Sequence, residues 1–532
     1  MQRVPTSYKI VKTLTPEGRT ELAYAERPRN LTELLGNTVG KHGDDPGPMD
    51  ENTRLTYQQF ALSVSNVASA LYVNYGVRKG DRVALMLRNG LEFAMSLFAI
   101  ARIGAIVVPL NTGLRREEVA YQLEDPGATV VIMEPEFHEL LAETSSGTRG
   151  LKQVFVTGSK PPAGTIAFSE LLKDGERLPV AVEVAETDAA VILYTSGTTG
   201  KPKGALLSHQ GIIASTLNVA RLYNFSAEQD RMLVVAPLFH IAGLSHSLIA
   251  AVYAGLPFMI LKRFKPVGTL EALEREWITT MTAVPTIYWL LLNAPEFDQR
   301  KLGSLRFLSA GGAPVPDDLV KIFVAKLPGV QFAPGYGLTE ACGMTHTTIN
   351  LDETLRKPGS VGRVVPVMDA RVVDSFGKEL PPGEKGEILV KGCQVMKGYW
   401  NNAAATQETI VDGWLHTGDI GSIAEDGHTY IFDRMKDVII RGGENIYCLE
   451  IENVLYRNPK ILEAAAVGVP DLVFGEQVKA AIVLKPGEQA EEEEIREFCG
   501  QYLANYKVPK YVEFREALPR NSAGKVIKSQ LK

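Results

Sequence analysis

Apolar positions in the first two-thirds of the chain fall into two alternating textures. Short, near-continuous runs such as VALML at Val83–Leu87, AIVVPL at Ala105–Leu110 and ATVVIM at Ala128–Met133 read as strands buried on both faces. Between them, longer segments predict helices across Leu91–Ile103 and around Arg115–Glu124. Thr56 followed by Gln59 has the form of a capping box, ahead of an amphipathic run to about Tyr75. The same rhythm recurs from Ala189 to Ala333. It predicts an α/β fold with largely parallel sheets covered by helices on both faces.

From about Gly362 short β runs alternate with Gly, Pro and Asp turns, which predicts an antiparallel sheet or small β-barrel. After Asp433 a third texture follows: AAAVGVP, VKAAIVLKP, an acidic-capped helix at Glu491–Asn505, and YVEF, together a compact α+β unit. The expected division is a large domain, residues 1–433, and a small one, residues 434–532, with the boundary at about Asp433–Asp437. Met232–Leu261 carries no Asp, Glu, Lys or Arg but is broken by Pro237, Gly243, Gly255 and Pro257. A strand, a loop, a buried helix and a second strand fit it better than one membrane span of roughly 20 apolar residues.

Composition narrows the classes. At roughly 150 residues per domain, 532 residues suggest about three modules. A net charge of −6 leaves no footprint for nucleic acid or anionic lipid, so any phosphate contacts are local. Cys342, Cys393, Cys448 and Cys499 are far apart with no metal-ligand spacing, as expected of reduced thiols in a cytoplasmic protein. The N-terminal residues lack the apolar core of a signal peptide.

The strongest local chemical signal is YTSGTTGKPKG at Tyr194–Gly204, directly after the apolar run AAVIL. Small residues expose backbone N–H groups, hydroxyls add donors, and Lys201 and Lys203 add charge, so the segment suits an anion. Walker spacing is not met, because two residues separate Gly197 from Gly200 and Pro202 follows Lys201. Alone, such a cluster also reads as an ordinary loop.

In order along the chain this segment is joined by PLFHIAGL (237–244), SAGGAPVP (309–316), GYGLTE (335–340), KGYW (397–400), GWLHTGDIG (413–421), DRMKDVIIRGGENIY (433–447) and LPRNSAGK (518–525). The set resembles the adenylate-forming superfamily of acyl-CoA synthetases, luciferases and peptide-synthetase adenylation domains, in look nearest to AMP-forming acyl-CoA ligases. The resemblance implies two parallel-rich sheets plus a small β-barrel in the large domain, and a mobile C-terminal domain. It implies ATP, Mg²⁺ and coenzyme A as cofactor and cosubstrates, and a small carboxylic acid as substrate. A homodimer is one option for the assembly.

By the same resemblance, Thr195, Ser196, Gly197, Thr198, Thr199, Gly200 and Lys203 hold the β and γ phosphates. Glu340 ligates Mg²⁺, and Thr339 contacts the α-phosphate. Gly311, Gly312, Ala313 and Pro314 lie against adenine with Tyr336 and Gly337. Asp419 accepts from the ribose hydroxyls beside Arg434, and Lys525 stands between the acid's carboxylate and the α-phosphorus. His240 lies beside the acyl group, whose pocket is drawn from Ala242, Gly243, Ser245, Ala283, Ala310, Gly311, Gly337 and Met344. Lys436 takes the hinge position, and Gly442, Gly443, Glu444 and Asn445 line the pantetheine tunnel. Cys448 departs from the pattern, since relatives usually carry proline there. His246 has no such match and reads as structural.

The pocket positions are mostly small and apolar, which suits an aromatic or medium aliphatic acid. Leu290 stands where malonate-activating relatives place an arginine, and Ala242 replaces the second histidine of some dicarboxylate enzymes, which disfavours dicarboxylates. No aspartate replaces the Phe239–His240 pair to grip an α-amino group, which disfavours an amino-acid adenylation domain. The reading is a CoA ligase. Transfer of the acyl group to an amine, luciferase-like oxygenation, and a non-catalytic nucleotide-binding protein are the alternatives.

Overall fold

The computed structural model describes residues 2–14, 18, 20–142, 150–174, 181–195, 201–520 and 526–532. Its contacts divide the chain into two compact units. The first comprises residues 1–370, 390–416 and 426–428; the second comprises 371–389, 417–425 and 429–532.

Two large sheets organise the first unit. In the eight-stranded one, Arg82–Met86, Ile106–Pro109, Val130–Met133, Gln153–Val156 and Ile166–Ala167 run parallel, and Ala189–Thr195 joins parallel to Ile106–Pro109. Lys203–Ser208 and Gly398–Tyr399 then close that edge antiparallel. In the nine-stranded sheet, Pro46–Met49, Phe258–Ile260, Met232–Val234, Thr280–Ala283, Phe307–Ala310 and Gln331–Leu338 are parallel, with antiparallel strands at both edges.

Helix Leu91–Arg102 buries ten of its twelve residues, which is why its sequence is apolar all round rather than striped. The predicted capping box is present: Gln59 N donates to Thr56 Oγ1 at 3.2 Å, and Thr56 N to Gln59 Oε1 at 2.9 Å. The Met232–Leu261 stretch holds strand, helix and strand as expected. Its helix, however, opens with π winding over Ala242–Ile249 before turning α over Ala250–Ala254. Among the described residues no helix is long and apolar enough to cross a membrane.

In the second unit, the residues of strand Trp414–Ile423 from Asp419 onward pair antiparallel with Thr429–Arg434. Glu444–Ile446, Ile439–Arg441, Gly475–Leu484 and Ile461–Asp471 form an antiparallel sheet, with Tyr511–Phe514 parallel to Gly475–Leu484. Ile446, Ile451, Leu455, Val478, Ile482 and Ile495 fill the core between this sheet and helices Cys448–Leu455 and Glu492–Gly500. The second helix is shorter than the predicted Glu491–Asn505. It stops at Gly500, a weak helix former, and the chain bends so that Leu503 reaches the same core.

Candidate functional site

Strand Gln331–Leu338 changes partners halfway. Gln331–Pro334 pair parallel with Phe307–Ala310, and Gly335–Leu338 pair antiparallel with Gly343–Thr347. Close approach of backbones explains the glycines. A Cβ on Gly311 would stand 2.8 Å from Gly335 O, and one on Gly337 would stand 1.9 Å from Gly343 O. Gly312 has φ +77°, a conformation glycine adopts without strain. The predicted adenine residues Gly311, Gly312, Tyr336 and Gly337 therefore lie together at the C-terminal ends of two neighbouring strands, with Ala313 and Pro314 next along the chain. Tyr336 and His346 face each other at 5.7 Å between ring centroids.

Thr339–Ala341 form one 3-10 turn off the end of that strand. The Glu340 carboxylate accepts at Oε1 from Thr195 Oγ1 (3.2 Å) and from the Tyr399 hydroxyl (2.9 Å). Thr195 and Lys203 are paired across adjacent strands, and Lys203 Nζ lies 5.1 Å from the Tyr399 ring centroid. Both ends of the phosphate-loop motif thus meet Glu340 or its neighbour. The motif's centre, Ser196, Gly197, Thr198, Thr199 and Gly200, lies outside the described residues, as does Lys525. Tyr399 is a residue the sequence reading missed as a site member, although the motif KGYW contains it. Around the loop's flanks the Tyr194 hydroxyl donates to Asp125, Trp400 Nε1 donates to Asp125 O at 3.1 Å, and Tyr121 donates to Pro202 O at 3.0 Å.

Of the predicted acyl-pocket residues, Ala283 and Ala310 stand opposite each other in register and are buried. Gly243 is pressed on the Pro237 carbonyl, where a Cβ would be 2.2 Å from the oxygen. Ser245 is fully buried, with its hydroxyl 3.1 Å from Thr216 Oγ1 on helix His209–Leu222. His240 packs edge-on to Phe239 at 4.8 Å, and Ala242 begins the π-helical segment. Burial lowers the pKa of His240 to about 4, so the ring is neutral at pH 7. His246 is buried, its pKa also lowered to about 4 by burial. Its Nε2 accepts from Met344 N at 3.2 Å and lies 3.1 Å from Ser215 Oγ. Met344 receives the Tyr223 hydroxyl at its Sδ (3.4 Å).

Within the second unit, Asp419 is 3% exposed and stands opposite Arg434 in the strand register. Arg434 Nε is 2.7 Å from Asp419 Oδ1, and its Nη1 donates to Thr417 O at 3.3 Å. Lys436 occupies a 3-10 turn, Met435–Asp437. Gly442 (φ +60°) and Gly443 (φ +89°) make the tight reversal between Ile439–Arg441 and Glu444–Ile446, and Glu444 and Asn445 are exposed. Cys448 begins helix Cys448–Leu455. Its N–H donates to Asp433 Oδ2 at 2.5 Å, a bond that proline cannot make.

Chemically, Glu340 with a hydroxyl and a phenol around it is a hard oxygen donor set of the kind Mg²⁺ takes alongside phosphates and water. Among the described residues no three His, Cys, Asp or Glu side chains are grouped so as to hold a metal ion. A cavity of about 680 Å³ lies elsewhere, at Gln331, the far end of the strand, among Glu353, Arg363, Asp426 and His428; none of the predicted residues lines it.

Residues 35–400 match the AMP-binding enzyme family, and residues 450–525 match the AMP-binding enzyme C-terminal domain. The chain is 38% identical to a feruloyl-CoA synthase of Amycolatopsis sp. over 480 residues, 90% of this chain and 94% of that protein. It is 35% identical to a long-chain-fatty-acid–CoA ligase of Bacillus subtilis (strain 168), covering 94% of each. Among solved structures it is similar to o-succinylbenzoate CoA synthetase from Bacillus subtilis in complex with its acyl-adenylate intermediate. That likeness has a TM-score of 0.83 at 31% identity and covers 95% of this chain and 98% of the other. The chain belongs to the AMP-binding enzyme family.

Proposed function

We propose that this protein is an AMP-forming acyl-CoA synthetase acting on an aromatic or medium aliphatic carboxylic acid. The observation that carries the reading is the convergence of Thr195 and Tyr399 on Glu340, with Lys203 against the Tyr399 ring, beside strand ends whose glycines let backbones approach closely. In the first half-reaction a carboxylate oxygen attacks the α-phosphorus of ATP, and the bond to pyrophosphate breaks. Two anions meet, so alignment and positive charge matter more than a protein nucleophile. Thr195 through Gly200 and Lys203 hold the β and γ phosphates, Thr339 contacts the α-phosphate, and Lys525 offsets the charge that develops there. Glu340 holds Mg²⁺, which when bound supplies charge neutralisation at the phosphates. The base lies against Gly311–Pro314, Tyr336 and Gly337, and the ribose hydroxyls meet Asp419, oriented by Arg434.

In the second half-reaction the sulfur of coenzyme A attacks the acyl carbon and AMP leaves. Residues 434–532 act as the mobile domain, Lys436 as its hinge, and Gly442–Asn445 as the wall of the thiol tunnel. His240, neutral at working pH, borders the acyl group as a polar but uncharged wall. Four buried thiols, Cys342, Cys393, Cys448 and Cys499, support a reducing, cytoplasmic setting.

The test is pyrophosphate release with ATP, Mg²⁺ and each of ferulate, benzoate, octanoate and palmitate, with and without coenzyme A. CoA-dependent turnover on one class supports the reading and names that class. Release without CoA-dependent turnover moves the acceptor to an amine, and no release with any acid sinks the reading.

A further inference from the structure

Three residues that the site reading does not use form a buried polar chain ending on the turn that carries Glu340. Tyr24 is 1% exposed, and Asn218 and Gln394 are fully buried. The Tyr24 hydroxyl donates to Asn218 Oδ1 (2.8 Å), Asn218 Nδ2 donates to Gln394 Oε1 (2.6 Å), and Gln394 Nε2 donates to Ala341 O (3.2 Å) and Met344 O (3.0 Å). Burial raises the Tyr24 pKa above its ordinary value, with Arg221 opposing, so at neutral pH the phenol keeps its proton. Each amide in turn then has one orientation that leaves every atom satisfied.

The bonded turn is not one the backbone would hold unaided. Cys342 has φ +52° and Gly343 φ +111°, both in the left-handed region. The two carbonyls that accept from Gln394 belong to the residues flanking this pair. Buried carbonyls need donors, and one side-chain amide supplies both. Other points of the turn are held separately: Met344 N by His246, and Glu340 O by Met396 N at 2.8 Å. Apolar packing would fill the same space but would tolerate slippage, whereas a directional chain from Tyr24 specifies one backbone path.

We propose that Gln394, oriented by Asn218 and Tyr24, is a positioning residue for Glu340, fixing the Thr339–Met344 turn so that the carboxylate stands ready for Mg²⁺ and ATP. The proposal rests on the reading of Glu340 as the magnesium-binding carboxylate.

Gln394→Met keeps the bulk and removes both donors. The Mg²⁺ concentration for half-maximal pyrophosphate release, with the fastest acid of the panel, rises about tenfold. Thioester formation from supplied acyl-adenylate changes less than about twofold, because that step needs no pyrophosphate leaving group. Tyr24→Phe, at the far end of the chain, shifts the same Mg²⁺ dependence by about two- to threefold and carries the test if Gln394→Met fails to fold. In the ligand-free protein, amide exchange across residues 339–347 quickens in both variants. An unmoved Mg²⁺ dependence overturns the proposal, with or without faster exchange, and so does equal loss in both half-reactions. Glu340→Gln is the control: if it leaves Mg²⁺ dependence unchanged, the reading of Glu340 itself falls. If it shifts that dependence and Gln394→Met does not, only the positioning role falls.

Discussion

Cys448→Pro tests how the start of the small domain is held. Proline fits the local backbone. Position 448 is the first residue of its helix, where a missing N–H is usually harmless. Tyr447 before it has φ −90° and ψ 120°, the extended region that a following proline demands. Restricting the unfolded chain there should stabilise the protein by about 0.4–1 kcal/mol. Against that stands the bond from Cys448 N to the Asp433 carboxylate, which is 7% exposed and has Arg434 N as its other backbone donor. A hydrogen bond to a charged group contributes about 1.5–3 kcal/mol. The loss wins, and Cys448→Pro is expected to be about 1–2 kcal/mol less stable than wild type at pH 7.

Cys448→Ser keeps the N–H and a side-chain donor toward Asp437 O, and should stay within about 1 kcal/mol of wild type. The unit's opening free energy is read by amide exchange in helix Cys448–Leu455, which avoids treating a two-unit chain as two-state. A pH dependence gives a second check. Burial raises the Asp433 pKa, opposed by Lys528 and by the N–H groups of Arg434 and Cys448, so the variant's Asp433 shifts further up. The proline penalty is therefore full at neutral pH and shrinks as pH falls toward the ordinary carboxylate value of about 3.9. A proline variant as stable as wild type at pH 7, or a penalty that grows in acid, refutes the reasoning.

Further expectations concern the half-reactions and acid stability. Lys525→Ala should abolish adenylate formation while sparing thioester formation from supplied acyl-adenylate; equal loss of both contradicts the role assigned to it. Lys436→Glu should slow the two half-reactions by different factors, measured separately, and a proportional loss counts against a hinge. Burial lowers the pKa of His209, His240 and His246 to about 4 and of His346 to about 3. Their unfolded counterparts take up protons near pH 6.5, so stability should fall as pH drops from there toward 4, by about 1.4 kcal/mol per pH unit for each histidine. Denaturant midpoints that stay level between pH 7 and pH 5 would rule this out.

What could be read in advance was what is encoded locally. The capping box at Thr56 and Gln59 and the strand–helix–strand reading of Met232–Leu261 follow from neighbouring residues, and both are present. The π winding of Ala242–Ile249 was not legible, because an all-apolar helix has no polar face to show a change of pitch. Nor were the roles of Tyr399 and Gln394. Their partners lie 59 and 53 positions away, and only the assembled sheets bring Tyr399 to Glu340 and Gln394 to Ala341. Helix Glu492–Gly500 ended early for a similar reason, since the core's demand for Leu503 overrode the helical pattern.

The backbone contacts at Gly311 and Gly337 set limits for anyone wishing to retarget this enzyme. A combinatorial library randomised at those two codons would consist mainly of dead clones, since any side chain must displace a main-chain oxygen on the partner strand. Met344 is different. Its thioether is flexible and, among the described residues, has the Tyr223 hydroxyl as its polar contact, so exchange there alters volume without a main-chain clash of that kind. If the proposed acyl pocket is varied, diversity is best spent on Met344, Ala242 and Ala283, leaving the glycines as fixed letters in the design.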